Sequence, residues 1–461
     1  MTNWNTKNVL ILGAARQGLA LARYLVKHGA KVTLNDKRMP HELKEEQESL
    51  KDVDVEWMLG AHFSSLLKGK DLVCLSGGIP LNLPLVRDAQ RRKIPLSNDT
   101  QIFLEAAPCR TIGITGSAGK TTTTTLVGRM AKEAMRKSKG KVWVGGNIGD
   151  PLINYVDEMK EDDLAILEIS SFQLDQMTLS TNIATLLNVT PNHLDRHGTM
   201  KAYAAAKARL LENQKAEDMA IVGRDDEGAR SMRSLSPGKV FTFGIKPLAA
   251  GDSGTYPLDD YIYFRDNRMD IPLISTSSIH LRGTHNLLNV LAAATIGFLS
   301  GFPSNAMDAA LIDFYGVEHR LELVQKRNGI AWYNDSIATA PERSMAAIRA
   351  FDEPIVLMLG GRDKKLPWGK LGELIRQRVD HVVLFGEAAQ KIAKAVGGSR
   401  AGERPYTISH CIGLEDAVAA AAKVAEEGDV VLFSPGGTSF DEFKDFAERG
   451  EKFREWAHKL S

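Results

Sequence analysis

Short runs of β-branched and apolar residues recur along this chain, each separated from the next by a segment long enough for a helix. They fall at residues 9–12, 31–35, 71–76, 111–115, 141–145, 164–170, 184–190, 219–223, 330–336, 355–360, 381–386 and 429–434. Continuous apolar runs suit strands buried on both faces, and the spacers supply the covering helices. The pattern predicts an α/β fold built on parallel sheets. Many runs end in Gly, Ser, Thr or Asp, at the carboxyl edge where such sheets gather ligands.

At 461 residues the chain has room for about three domains of ~150 residues. Breaks are expected at 107–109, where Ala107, Pro108 and Cys109 precede a new strand, and at 315–319, where a helical segment gives way to the run near residue 330. The domains predicted are therefore 1–108, 109–318 and 319–461. Residues 235–272, rich in Gly, Pro and Asp, read as a strand-and-loop excursion without chemistry of their own.

Lys and Arg number 58 against 57 Asp and Glu, a net charge of +1, so no global field draws the chain to nucleic acid or to an anionic membrane. The one locally basic run, 132–141, reads as a solvated helix end. Cys74, Cys109 and Cys411 lie far apart, which argues against a disulfide framework and a thiolate metal site and fits a reducing cytoplasm. The apolar opening at 9–12 is short for a signal peptide, and the stretch 287–299, broken by Asn289 and Thr295, falls short of the ~20 residues that span a bilayer. A soluble cytoplasmic protein with neither nucleic-acid nor membrane partners is expected.

The sharpest local signal is GITGSAGKTTTTT at 113–125, a glycine-rich turn placed between a strand and a helix. Glycines let backbone N–H groups approach phosphate, the helix N-terminus adds positive potential, Lys120 can reach terminal phosphates, and Thr121 offers a hydroxyl to Mg²⁺. The spacing departs from GxxxxGK[ST] because Ile occupies position 114, with Gly116 as the inner glycine. The run Thr121–Thr125 would by propensity alone prefer a strand. Strand, glycines, Lys and Thr nevertheless stand in the order that a nucleoside triphosphate site requires.

A second glycine turn, VLILGAARQGLALARYLVKHG at 9–29, leads to a strand ending at Asp36. Gly13 and Gly18 flank Ala15, where a dinucleotide fingerprint places its middle glycine, so the turn is weak evidence for NAD. Asp36 can accept hydrogen bonds from a nucleotide or simply close a strand, and the turn from Ser76 to Pro80 can offer N–H groups to a diphosphate.

These turns belong to a longer series. TGSAGKT (115–121), GGNIG (145–149), LEISSFQL (167–174), NVTPNHLDRH (188–197), YAAAK (203–207), HNLLN (285–289), HR (319–320), NDSIAT (334–339) and SPGGTSFDEF (434–443) follow one another in one order. In this combination the chain resembles the Mur ligases of peptidoglycan synthesis over nearly its whole length, and among them the branch that adds glutamate. The resemblance implies a Rossmann-like N-terminal domain for a uridine nucleotide, a central phosphate-loop ATPase domain and a Rossmann-like C-terminal domain for the amino acid. It implies that ATP phosphorylates the carboxylate of UDP-N-acetylmuramoyl-L-alanine, and that the glutamate amine then attacks the acyl phosphate. Concentrated positive charge is needed to bring two anions together.

By the same resemblance, Thr115, Gly116, Ser117, Ala118, Gly119, Lys120 and Thr121 cradle the nucleotide, with Asn289, Arg320 on phosphate and Asp335 on ribose. Thr121, Glu168, His193 and Lys207 hold two Mg²⁺, with Lys207 as a carbamate; Lys120, Glu168, His193 and Lys207 form the catalytic group. Without the family, Lys207 would read as a surface charge and His193 as a polar loop residue. Ala15, Arg16, Asp36, Arg38, Ser76, Gly78 and Asn147 fall on the muramoyl substrate, and Thr339, Lys364, Ser439 and Phe446 on the amino acid, Lys364 facing a carboxylate. A monomer is expected.

Three departures from the family pattern stand out. Ser117-Ala118 replaces Thr-Asn, Pro191-Asn192 replaces an acidic pair, and Ile337 stands where a lysine is common. They leave open the handedness of the glutamate, and another Mur-type ligase taking L-glutamate or a different amino acid remains an alternative. An NAD-dependent oxidoreductase and an ATPase switch acting on a protein are the readings from other classes.

Overall fold

The computed structural model describes residues 2–266, 269–398 and 402–460. Three sheets organise them. The first carries β1 (Asn8–Leu12), β2 (Lys31–Asp36), β3 (Val55–Leu59), β4 (Leu72–Leu75) and β5 (Leu96–Ser97). Its order β3-β2-β1-β4-β5 is parallel throughout, so the chain reverses direction across the sheet between β1 and β4. That switch opens a crevice at the carboxyl ends of β1 and β4, where the Gly13 and Ser76 turns lie.

The second sheet holds β6 (Arg110–Thr115), β7 (Val142–Gly146), β8 (Leu164–Glu168), β9 (Ile183–Leu186), β10 (Met219–Gly223), β11 (Lys239–Phe243), β12 (Gly254–Leu258), β13 (Tyr261–Asp266) and β14 (Met269–Ser275). They run in the order β14-β13-β12-β11-β10-β9-β6-β8-β7. Glu168 ends β8 beside the end of β6, because Ile114 pairs with Glu168 across the two strands. Residues 235–266 and 269–272 are more regular than an excursion: they supply β11 to β13 and the start of β14; β12 pairs parallel to β11, and β13 and β14 then extend the sheet antiparallel.

The third sheet holds β15 (Glu322–Arg327), β16 (Ile330–Asn334), β17 (Ile355–Gly360), β18 (His381–Phe385), β19 (Thr407–His410) and β20 (Val430–Gly436), in the order β15-β16-β20-β17-β18-β19. Only the β15–β16 pair is antiparallel. All residues of β17 and β20 are buried, as central strands covered on both faces must be. The carboxyl ends of β16, β20 and β17 lie side by side.

By internal contacts the chain divides into two compact units. One comprises Met1–Ile279 with Leu288–Ile312 and carries the first two sheets; the other comprises His280–Leu287 with Asp313–Ser461 and carries the third. Among the described residues no helix is long and apolar enough to cross a membrane.

Candidate active site

In the first unit, β6 ends at Thr115 and the helix Lys120–Ala134 begins at Lys120. Five consecutive threonines, Thr121–Thr125, sit in its opening turns, where tertiary packing overrides their preference for strand. Gly119 caps the helix with φ of 85°, a left-handed conformation, and a Cβ there would come within 2.2 Å of Asn289 Oδ1. Only glycine meets both demands, and Asn289 is thereby placed against the loop.

The middle of the loop is fastened inward. Ser117 N donates to Asn188 O at 3.0 Å and Ala118 N to Asn188 Oδ1 at 2.9 Å. Ser117 Oγ donates to Thr190 O and accepts from Thr190 N and Tyr203 OH, each at 2.9 Å. The expected amides of Ser117 and Ala118 are thus engaged in holding the loop to the segment after β9. The opening turn of the helix, from Gly119 through Thr121, is left as the part whose N–H groups lack intrahelical partners.

Thr121 Oγ1 donates to Glu168 Oε2 at 2.8 Å, and Asn147 Nδ2 donates to Glu168 Oε1 at 2.8 Å. Glu168 is buried, and both of its oxygens are oriented by these neutral donors. Asn147, expected beside the muramoyl substrate, here fixes this carboxylate, while its backbone carbonyl takes a bond from Arg16 Nη2 at 3.3 Å.

Lys207 is 1% exposed, so its plain reading as a surface charge is overturned. It lies on the helix Met200–Glu212 with Tyr203, Ala206, Leu210 and Leu211 on the same buried face. Its Nζ donates to Gly116 O at 2.9 Å and to Thr115 Oγ1 at 3.3 Å, and Lys120 Nζ donates to the same Gly116 O at 3.0 Å. Burial, and then the neighbouring Lys120, push the Lys207 ammonium well below its usual range, with Glu168 opposing. Such a shift favours the neutral amine, the nucleophilic form.

His193 is exposed and has φ of 52°, and its ring meets Phe172 edge-on at 5.2 Å. The better buried ring is His197, which the sequence did not single out: it stacks on Phe172, touches Ser171 Oγ at 2.9 Å and lies 3.5 Å from Asp175. Burial raises the Asp175 carboxyl to about 6.

At the β1–β4 crevice, Gly18 packs so closely that a Cβ would fall 2.0 Å from Gly13 O. Ser76 Oγ donates to Gly13 O at 2.8 Å. Asp36 accepts from Ala14 N at 2.9 Å and from Arg38 at 3.1 Å; burial works against its charge, but these bonds outweigh it and hold the carboxyl at about 2. Asp36 and Arg38 therefore act first on each other and on the turn around Ala15. Gly78 O accepts from Arg196 Nη2 at 2.9 Å.

In the second unit, Asp335 follows β16 and is buried; Oδ2 accepts from Ser434 Oγ at 2.7 Å and Oδ1 from Leu321 N at 3.3 Å. Burial raises its carboxyl to about 7. Arg320 lies one residue before Leu321, and its charge favours the ionised form of Asp335. Thr339 and Lys364 follow β16 and β17, and buried Ser439 follows β20. The exposed Phe446 sets its ring edge-on to His319 at 6.2 Å.

Beneath these loops lies a residue that the motifs did not flag. Arg449, 0% exposed, donates from Nε to Ser336 Oγ at 3.0 Å, from Nη2 to Ser336 O at 2.8 Å and from Nη1 to Gly437 O at 3.1 Å. Burial lowers its guanidinium to about 10. The loops after β16 and β20 are thereby tied to the helix Phe446–Lys459.

Comparison with known proteins places these features in company. Residues 7–98 match the family described as "Mur ligase MurD-like, N-terminal domain", 114–297 "Mur ligase middle domain" and 319–437 "Mur ligase, glutamate ligase domain". The UDP-N-acetylmuramoylalanine–D-glutamate ligase of Acetivibrio thermocellus is 38% identical over 97% of this chain and 96% of its own. The protein of the same name from Caldanaerobacter subterraneus is 39% identical over 97% of both chains. Among solved structures, MurF ligase from Thermotoga maritima in complex with ADP superposes with a TM-score of 0.58 at 18% identity, covering 100% of this chain and 99% of that one. UDP-N-acetylmuramate-alanine ligase MurC from the same organism gives a TM-score of 0.58 at 18% identity over 98% of this chain and 99% of that one. These two structures share the fold.

Proposed function

The chain belongs to the Mur ligase family, and we propose that it joins D-glutamate to UDP-N-acetylmuramoyl-L-alanine at the expense of ATP. The observation that carries the reading is the junction at the end of β6. There Lys120 and Lys207 converge on one carbonyl, beside a carboxylate oriented by Thr121 and Asn147. In this reading 1–108 takes the uridine nucleotide, 109–318 takes ATP, and 319–461 takes the amino acid, as a monomer in the cytoplasm.

Thr121 and Glu168 offer hard oxygen donors suited to Mg²⁺. Among the described residues no three His, Cys, Asp or Glu cluster as a metal site, which fits a cation that relies on few protein ligands, on water and on phosphate oxygens. Held by these oxygens, the ion would neutralise charge on the phosphates. His193 and a carbamate on Lys207 would hold a second ion. The carbamate forms when the neutral Nζ adds to CO₂ carbon, one C=O pair moves to oxygen, and the nitrogen gives up a proton to water. Burial favours the amine that starts this step.

Lys120 stabilises charge as the terminal phosphoryl group passes to the alanyl carboxylate, and the opening turn of its helix holds the adjacent phosphates. The glutamate amine then attacks the acyl carbon, and the phosphate leaves. In the third sheet Lys364 faces an amino-acid carboxylate, with Thr339, Ser439 and Phe446 around it. The test is release of inorganic phosphate with each substrate omitted in turn. Release that requires ATP, UDP-N-acetylmuramoyl-L-alanine and D-glutamate together is expected; release with L-glutamate alone or another amino acid reassigns the substrate, and release independent of the nucleotide precursor overturns the reading.

A further inference from the structure

A dicarboxylic amino acid carries two negative charges, and Lys364 answers one of them. The turn after β16 presents a second cation. Arg343, in the helix Pro341–Ile348, donates from Nη1 to Ile337 O at 2.9 Å, and the same carbonyl accepts Thr339 N at 2.9 Å. Guanidinium and Thr339 therefore meet at one atom. The turn itself is anchored, since Ser344 Oγ donates to Ser434 O at 2.8 Å and Gly436 N donates to Ala338 O at 2.8 Å.

Lys364 stands on the loop after β17. That loop is held to the one after β20 by Arg362 N to Thr438 O at 2.7 Å and Thr438 N to Arg362 O at 2.9 Å. Three carboxylates of the surrounding loops are committed elsewhere: Asp363 to Lys391 at 2.6 Å, Glu387 to Arg362 at 3.0 Å, and Asp335 to Ser434. Among the described residues, neither Arg343 nor Lys364 has a carboxylate at ion-pair distance. Yet the two cations feel each other, because after burial it is Arg343, followed by Arg449, that depresses the Lys364 ammonium. Like charges fixed in range of one another are unfavourable until an anion joins them.

We propose that Arg343 and Lys364 together hold the two carboxylates of the incoming amino acid, Arg343 supplying from the helix the charge that Ile337 does not. This rests on the ligase reading and names a specificity residue within it. A guanidinium pinned by one N–H retains its other donors for a planar carboxylate.

The experiment uses the full chain as wild type, R343A and R343K, with KM measured separately for D-glutamate, ATP and UDP-N-acetylmuramoyl-L-alanine. R343A should raise the KM for glutamate by about 10- to 100-fold, the range of one lost charge-assisted contact, and leave the other two within about twofold. R343K should recover part of the loss. If the wild type turns over neither glutamate enantiomer, the ligase reading and this inference fall together. If it does turn over, and R343A keeps its KM for glutamate or raises all three alike, the role of Arg343 alone is refuted.

Discussion

Replacing Ser117 by alanine tests how the phosphate loop is held. Its hydroxyl makes three bonds of 2.9 Å, to Thr190 O, Thr190 N and Tyr203 OH. Each neutral bond contributes about 1 kcal/mol, but a donor or acceptor left buried without a partner costs about 1–3 kcal/mol. Tyr203 is 1% exposed, so its hydroxyl has little access to water when Ser117 is removed. S117A should therefore destabilise the closed loop by about 3 kcal/mol. Y203F removes one of the three bonds and leaves Ser117 satisfied by Thr190, a cost of about 1 kcal/mol. In the S117A background, Y203F should cost nothing or restore stability, because it deletes the stranded hydroxyl. Native-state hydrogen exchange at residues 116–119 reads the opening free energy of the loop directly and does not require the whole chain to unfold in one step. The KM for ATP should rise in S117A and change little in Y203F. A loss below about 0.5 kcal/mol in S117A, or the same cost for Y203F in both backgrounds, would refute the reasoning.

Two further expectations follow from buried groups. Lys207→Ala should be nearly inactive and partly rescued by a short carboxylic acid in solution, whereas Lys207→Arg should resist rescue; ¹³C NMR after ¹³CO₂ labelling should show a carbamate in active protein, and its absence there would return Lys207 to a role as a buried amine. Asp335 has its carboxyl raised to about 7 by burial, so the folded state holds a proton that the unfolded chain releases near 3.8. Its contribution is present in full below pH ~4 and is lost as pH rises through ~7, up to about 4 kcal/mol in all; Asp335→Asn, which keeps a neutral group there, should flatten this fall in urea titrations at pH 5 and 7.5, and an unchanged slope would count against it.

The sheets were legible because fully apolar runs such as 355–360 and 430–433 have one stable destination, the middle of a covered sheet. The β15–β16 hairpin was missed although its signal was present: Asn328-Gly329 joins the strands, with φ of 50° and 75°. Two consecutive positive φ values are what a tight hairpin of this hand demands. The depth of Lys207 was also written in the chain. Tyr203, Ala206, Leu210 and Leu211 mark the buried face of the helix, and position 207 lies on that stripe. Arg449 follows the same logic, set on the stripe of Gly450, Phe453 and Ala457. A charge on a core stripe was the available clue in both cases. The inward turn of the Ser117 and Ala118 amides had no such clue, since it depends on Asn188, some seventy residues away.

The buried guanidinium of Arg449 bears on how this enzyme can change over generations. Ser336 and Gly437 come from different loops, yet both spend polar atoms on one side chain from a third segment. Arg343 and Lys364, at the exposed mouth of the same region, can vary one at a time, with the consequence confined to what binds. Positions 336, 437 and 449 cannot: losing the arginine strands the carbonyls of Ser336 and Gly437, and reshaping either loop strands the arginine. Lineages that alter amino-acid preference should therefore drift at the mouth while inheriting this trio as a block, and a laboratory graft of the 335–339 loop from another ligase should succeed only when residue 449 travels with it.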